Sequence, residues 1–309
     1  MNNLLSACVL LAAAVSFPTT TAAQVEAKSD LNQGSQWGKT KAVKDLPKEL
    51  TVGYFNVFCM TTRVAGGKRG NASLTRRAEL NLTEETARAT TDAGYAYLKA
   101  QLEAKGYTVK SEDAETLRNT KTFQKYAKKD TAAKVVSGGG SQYLRDKDKV
   151  DERIVAYASQ LTGVTLGPKG GAGYVPLSLE LGGKEGRMTL NFLGIIDFTE
   201  PEIKEYTSGA HDVVEVTFPP SLRMIDVPAF GGQSTLNYQS TREIGGKVYG
   251  GHEFKSANLA WLKEHTTDQD QVDQFVVDEA GYQTVALELL KAYIDQFVAR
   301  IDEFKTTGK

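Results

Sequence analysis

The chain has 309 residues, 40% of them apolar and 24% charged, proportions that suit a folded globular protein and exclude a disordered one. Lys and Arg number 37 against 38 Asp and Glu, a formal net charge of −1. That balance excludes a basic nucleic-acid footprint and an acidic, tail-like chain.

Leu4 to Phe17 is apolar apart from two serines, and no charged side chain precedes Glu26. The run is 14 residues long, short of the ~20 that a membrane-spanning helix needs. With Thr21-Ala22-Ala23 behind it, it reads as a secretory signal peptide over residues 1–23, cleaved after Ala23, although the n-region is only Met-Asn-Asn. The expected location is the periplasm or the extracellular space, with peripheral contact at the outer membrane. Leu5-Ser6-Ala7-Cys8 has the form of a lipobox, but Cys8 opens the apolar run instead of ending it, so lipidation is not expected. Cleavage leaves Cys59 as the only cysteine, which excludes an intramolecular disulfide and makes a small buried hydrophobe the natural reading.

Residues 24–48 are polar and lack periodicity, which predicts a flexible tether. Residues 49–309 then form one α+β domain, with a sub-boundary placed near 131–173. Thr51 to Met60 is β-branched and aromatic, a strand, and Gly66-Gly67-Lys68-Arg69-Gly70 predicts a polar loop or hairpin tip. Asn81 or Thr83 caps a helix whose first turn carries Glu84 and Glu85 and whose apolar face runs from Ala87 to Leu102. Gly106 ends it, Tyr107-Thr108-Val109 starts a strand, and a second helix is expected over 116–129.

Gly138-Gly139-Gly140 predicts a hinge or tight turn, and Arg145 to Arg153 a solvated charge run. Alternating apolar residues from Val175 to Leu181 and from Met188 to Phe192, around Gly182-Gly183-Lys184-Glu185-Gly186, predict a hairpin over 175–198. Its arms fall short of the ~9–11 residues of a transmembrane strand, so core packing is expected over a membrane-facing role. Strands are expected over 213–218 and 222–227, joined across Pro219-Pro220, and a hairpin over 236–249 turning at Gly245-Gly246. Asp273 to Phe304 carries a helical stripe that includes Phe275, Val276, Tyr282, Val285, Leu289 and Phe297, with Gly281 marking a break.

The pattern names no catalytic residue. His252-Glu253 opens like a zinc-protease motif, but Ser256 stands where the second histidine belongs. His211-Asp212 with Glu205 offers a thin ligand set, for which a hydrogen-bonded loop is the simpler account. The three Gly-Gly-Lys triplets, at Gly66, Gly182 and Gly245, lack the leading glycine and the trailing Ser/Thr of a phosphate loop, and serve as turns. Residues 167–173 have the wrong glycine spacing for a dinucleotide fingerprint, and no Gly-x-Ser-x-Gly elbow exists. No cofactor, metal or nucleic-acid partner is therefore expected.

The strand at Thr51–Met60, the helix ending Tyr97-Leu98-Lys99-Ala100-Gln101-Leu102, then Gly106-Tyr107-Thr108-Val109 and another helix form a pattern over residues 50–130. It resembles the periplasmic α/β domains of the CsgG-like curli secretion-channel family and the N-terminal domain of the translocation protein TolB. The resemblance implies non-enzymatic work in envelope assembly, through envelope proteins or self-association, and carries over no functional residue. The expected function is thus an exported, non-enzymatic binding or assembly component. The alternative is an exported, hydrolase-like enzyme with a site gathered from distant carboxylates, His211 and His252.

Overall fold

A single long strand organises the molecule. The computed structural model describes residues 25–29, 48–111, 115, 119–121, 124, 133–137, 152–158, 189–226, 235–237, 242–244, 247–249, 252–268 and 272–307. Strand β2 (Glu49–Arg69) begins in the β-branched and aromatic run and continues through the glycines expected to form a loop. Burial along it changes phase once, from Leu50 and Val52 to Phe55, Val57 and Cys59, and from Cys59 to Arg63 both faces are covered, with Met60 and Thr62 buried as well. The change coincides with a register shift between Val52 and Tyr54 against one neighbour, and a second shift, between Met60 and Thr62 against another, falls in the stretch covered on both faces. A bulge adds one residue on one side, so the inward face passes from even to odd positions.

Strand β3 (Ala72–Leu80) returns antiparallel to the distal half of β2, pairing Arg69 with Ala72 and Thr62 with Glu79. The turn falls at Gly70 and Asn71 alone, and Gly70 supplies it with φ 52. Gly66 and Gly67 are therefore strand residues, and the polar loop expected over 66–70 shrinks to the tip. Helix α1 (Glu84–Ala104) follows, capped by Thr83, whose Oγ1 accepts from Thr86 N. Asn81, the other candidate cap, instead accepts from Val277 N through Oδ1 at 2.8 Å. Gly106, with φ 86, turns the chain into β4 (Thr108–Ser111), which lies parallel to the start of β2.

Strands β5 (Ala133–Ser137) and β6 (Glu152–Ala158) extend the β2 edge that carries β4, with β6 antiparallel to β2 and β5 on β6. Strand β7 (Thr189–Thr199) lies parallel to β2 along Thr51–Cys59. Both β7 and β3 face the edge of β2 opposite β6, one after the other along its length. The path through the 12-stranded sheet runs β1-β14-β10-β7-β2-β3-β16-β15, where β1 is Val25–Ser29, β10 Pro220–Asp226, β14 His252–Ser256, β15 Leu262–Thr267 and β16 Val272–Val277. Strand β11 (Thr235–Asn237) adds parallel to β7. Two hairpins stand as separate two-stranded sheets: β8 (Glu202–Ser208) with β9 (His211–Thr217), and β12 (Arg242–Ile244) with β13 (Lys247–Tyr249).

Helices α1 and α2 (Glu279–Thr307) pack against each other and on the sheet. Tyr282, Val285, Leu289, Tyr293 and Phe297 of α2, with Tyr95 and Leu98 of α1, are buried there with Phe55. Gly94 permits the contact between layers, since a Cβ on it would lie 3.1 Å from Leu290 and 3.3 Å from Phe55. The fold is α+β, a strand-rich curled sheet with hairpins packed against helices and closed by a long C-terminal helix.

Several expectations need correction. The stripe expected as helix from Asp273 is strand up to Val277, where Asp273, Phe275 and Val277 are buried and alternate with half-buried neighbours. Period two and β-branched composition win over a helical reading that depended on counting Phe275 and Val276 together. Asp278 then accepts from Gly281 N at 2.7 Å, so Gly281 lies in the first helical turn and breaks nothing. Within the expected tether, Val25–Ser29 pairs antiparallel with β14. The return arm of the hairpin expected over 175–198 is β7, but Thr189–Asn191 has β2 on one edge and β11 on the other. The other arm, residues 175–188, lies outside the described residues. The strands expected over 213–218 and 222–227 are β9 and β10, and they belong to different sheets.

Of the hairpin expected over 236–249, Arg242–Ile244 and Lys247–Tyr249 pair antiparallel, whereas Leu236 and Asn237 belong to β11 beside β7, and Gly245-Gly246 lie outside the described residues. Of the helix expected over 116–129, the described part keeps helical bonds from Asn119 N to Glu115 O and Gln124 N to Thr120 O. The signal segment 1–23, the glycines 138–140 and the segment 167–173 lie outside the described residues. No helix among the described residues is long and apolar enough to cross a membrane.

Candidate functional site

Among the described residues, three polar assemblies stand out in the interior and at its rim. The first ties β2, β7 and β10 together. Asp197 is fully buried, and its Oδ2 accepts from Arg223 Nε at 3.0 Å and Nη2 at 2.7 Å. Arg63 Nη2 lies 3.4 Å from the same oxygen. The cluster reaches solvent through Glu200, 3.3 Å from Arg223 Nη1 and 3.6 Å from Lys255 Nζ. One carboxylate between two buried guanidiniums is a cross-strand tie, since every charge in it is needed to offset the desolvation of another.

The second assembly joins the β15–β16 hairpin to β3. Asp273 Oδ1 receives Thr267 Oγ1 at 3.0 Å and lies 3.1 Å from His265 Nε2, while Oδ2 receives Arg76 Nη2 at 2.7 Å. The His265 ring stacks on Phe275 with centroids 4.2 Å apart, and Phe275 stacks in turn with Trp261. A carboxylate orienting an imidazole is half of a nucleophile–base–orienter arrangement. Here Thr267 donates to the same carboxylate, so its hydroxyl is already engaged. The sequence left His265 aside because its partner lies eight residues on. The readable sign is His265 and Thr267 on one strand face, with Asp273 opposite Thr267 across the hairpin.

The third assembly is the contact between the β2–β3 hairpin and the β8–β9 hairpin. Register pairs Ile203 with Val216, Glu205 with Val214 and Thr207 with Asp212 on one face. That face meets the distal end of β2. Lys68 N donates to Glu205 Oε1 at 2.8 Å, Arg69 Nε donates to Thr207 Oγ1 at 3.0 Å, and Arg69 pairs with Asp212 at 3.6 Å. Arg76 Nη1 donates to Val216 O at 3.0 Å, which links this contact to the Asp273 assembly. Gly67 makes the approach possible: a Cβ there would lie 2.6 Å from Glu205 Oε1 and 2.8 Å from Ile203 Cγ2.

The structure does not gather the histidines that the alternative reading needed. His211 is exposed at the tip of β8–β9, opposite Ser208, on the face away from Glu205. His252 begins β14, opposite Ser29, in the other sheet. The thin ligand set of His211, Asp212 and Glu205 is thus divided between two faces of one hairpin. Among the described residues, no group of three His, Cys, Asp or Glu is placed to hold a metal ion. Cys59 is fully buried, and burial pushes its thiol from 9.0 to about 12, with Tyr282 hydrogen bonding pulling the other way. A thiol so held is not a nucleophile at neutral pH.

Comparison with protein-family models, with curated proteins and with solved structures finds no match to this chain.

Proposed function

We propose that this chain is an exported, non-enzymatic component of the bacterial cell envelope that acts by binding or assembly, with envelope proteins or copies of itself as partners. The observation that carries the reading is the hairpin-on-hairpin contact, in which a module with its own two-stranded sheet docks through matched apolar and charged surfaces. The titratable groups described above support it, because they are spent on ties between strands and between hairpins. Export rests on the N-terminal apolar segment and the small residues that follow it.

Light scattering after size exclusion on residues 24–309, with capture from an envelope extract, tests the proposal. Self-association or recovery of an envelope protein is the expected result. A strict monomer that captures nothing would overturn it. So would turnover of an ester, glycoside or phosphoester substrate that is abolished by His265→Ala.

A further inference from the structure

The β8–β9 hairpin is built differently from the strands around it. It leaves the main sheet after Thr199 and returns at Pro220, and these two residues are partners in the β7–β10 ladder. The sheet is therefore continuous beneath the excursion and does not need it. The hairpin completes its own ladder over seven pairs, from Glu202 with Thr217 to Ser208 with His211. Pro201 stands at the exit and Pro219-Pro220 at the return. Proline cannot donate to a ladder and biases the residue before it to extended backbone. The two tethers, Glu200-Pro201 and Phe218-Pro219, lie between the ladders, and the sheet resumes at Pro220. The root is fixed by Thr199 Oγ1 donating to Pro219 O at 2.8 Å and by buried Phe218, and the arm beyond it holds on through side chains and the Lys68 amide.

The two hairpins carry opposite net charge. Residues 61–80 of the β2–β3 hairpin hold five basic side chains against one acid, a balance of +4. Residues 202–217 hold four acids against one lysine, a balance of −3. Ile203 and Val216 form the apolar part toward the root, Glu205 beside Val214 accepts from the Lys68 amide midway, and Thr207 and Asp212 meet Arg69 at the tip.

We propose that this contact is a self-association surface: the basic β2–β3 hairpin of one copy accepts the acidic β8–β9 hairpin of a second copy in place of its own. Every bond across the contact is the same in the exchanged arrangement, so exchange costs only the entropy of association and the opening of two tethers. Opposite charge steers the foreign hairpin to the place that its own has left. The inference rests on the assembly reading above and names the partner within it.

Charge reversal separates exchange from contact within one chain. Arg69→Asp and Asp212→Arg each place like charges at the tip of a single copy. When the two variants are mixed, only contact between copies restores opposite charges, on both hairpins at once. Arg69 and Asp212 are 44% and 37% exposed, so either substitution is a surface change with little effect on folding. The equimolar mixture is expected to contain several-fold more dimer by light scattering than either variant alone.

A covalent test is independent of charge. A Cβ placed on Gly70 lies 3.8 Å from Asp212 Cβ, close to the mean separation across a disulfide. Gly70→Cys, which strains the backbone at the positive φ of the turn, mixed with Asp212→Cys and mildly oxidised is expected to give a dimer linked through positions 70 and 212, identified by peptide mass. The double variant measures closure within one chain. The proposal is overturned if the mixture of charge variants stays as monomeric as its parts and the cysteine mixture yields no 70–212 link. Self-association of the unaltered chain without that link would leave the assembly reading standing and remove the exchange.

Discussion

Asp197 accepts from Arg223 with two nitrogens and lies beside Arg63, while its own side chain has no exposure to water. Removing the carboxylate leaves two guanidiniums in the sheet without the charge that offset their desolvation. Asp197→Asn is expected to cost about 3–5 kcal/mol in urea unfolding. Glu200→Gln acts on the same Arg223 from a side chain that is 49% exposed, and should cost about 0–1 kcal/mol. Equal costs for the two would deny Asp197 its place as the node. Cys59 gives a second residue-scale expectation. Its thiol stays protonated in the folded state up to about pH 12, whereas the unfolded thiol ionises from about 9.0. Proton loss therefore favours the unfolded chain only above pH 9, so this contribution to stability is whole below pH 9 and is lost between 9 and 12. Tyr97, raised from 10.0 to about 12 by burial and by donating to Asp295, adds to the loss in the same alkaline window. At pH 8.5 a disulfide reagent should label Cys59 only as fast as the chain opens, with urea accelerating it. Immediate, complete labelling of the folded protein would contradict this.

At the scale of elements, the helices were legible to within a residue or two where a cap and a stripe coincide, as at Thr83 and Glu84. The C-terminal boundary was misplaced because Phe275 fits both periods, and only Asp278 marks the change from strand to helix. Gly281 shows how local propensity can mislead. In an exposed helix, Gly→Ala gains about 1 kcal/mol. Here a Cβ on Gly281 would fall 2.0 Å from Ala260 O, a backbone atom just before buried Trp261. Gly281→Ala is thus expected to destabilise by about 1–3 kcal/mol, because the α2 entry or the 258–261 turn must shift. A rise in melting temperature would show that the turn yields freely. Strand identity was also partly legible, but partner choice was not. The length of β2, its change of phase and its distal glycines have meaning only against β6, β7 and β8–β9, which lie far from it in sequence. For the same reason the Asp197 and Asp273 assemblies could not be read from spacing, since each joins strands distant in the chain.

For the whole molecule, the sheet path has β1 at one end and β15 at the other, and the two ends are guarded differently. Strand β15 carries Lys263 and a bulge between Leu262 and Glu264, two devices that discourage further strand addition. At the other end, the β14 edge is covered by β1, which follows directly on the expected cleavage point after Ala23. The segment expected to tether the domain therefore begins with a strand that covers an edge. A chain beginning at residue 31 would lack that strand and present the amides and carbonyls of His252–Ser256 on an open edge. Since α2 also packs against β14 and β10, the sheet should survive the loss, with unfolding little changed. What should change is association: at equal concentration, light scattering from the chain starting at 31 is expected to rise with time, while the chain starting at 24 stays stable. Adding a peptide of residues 24–30 should suppress the rise, because it restores the same five backbone pairings. A chain starting at 31 that scatters no more than the longer one would mean that β14 tolerates an open edge, and that β1 is dispensable to the state of the assembled protein.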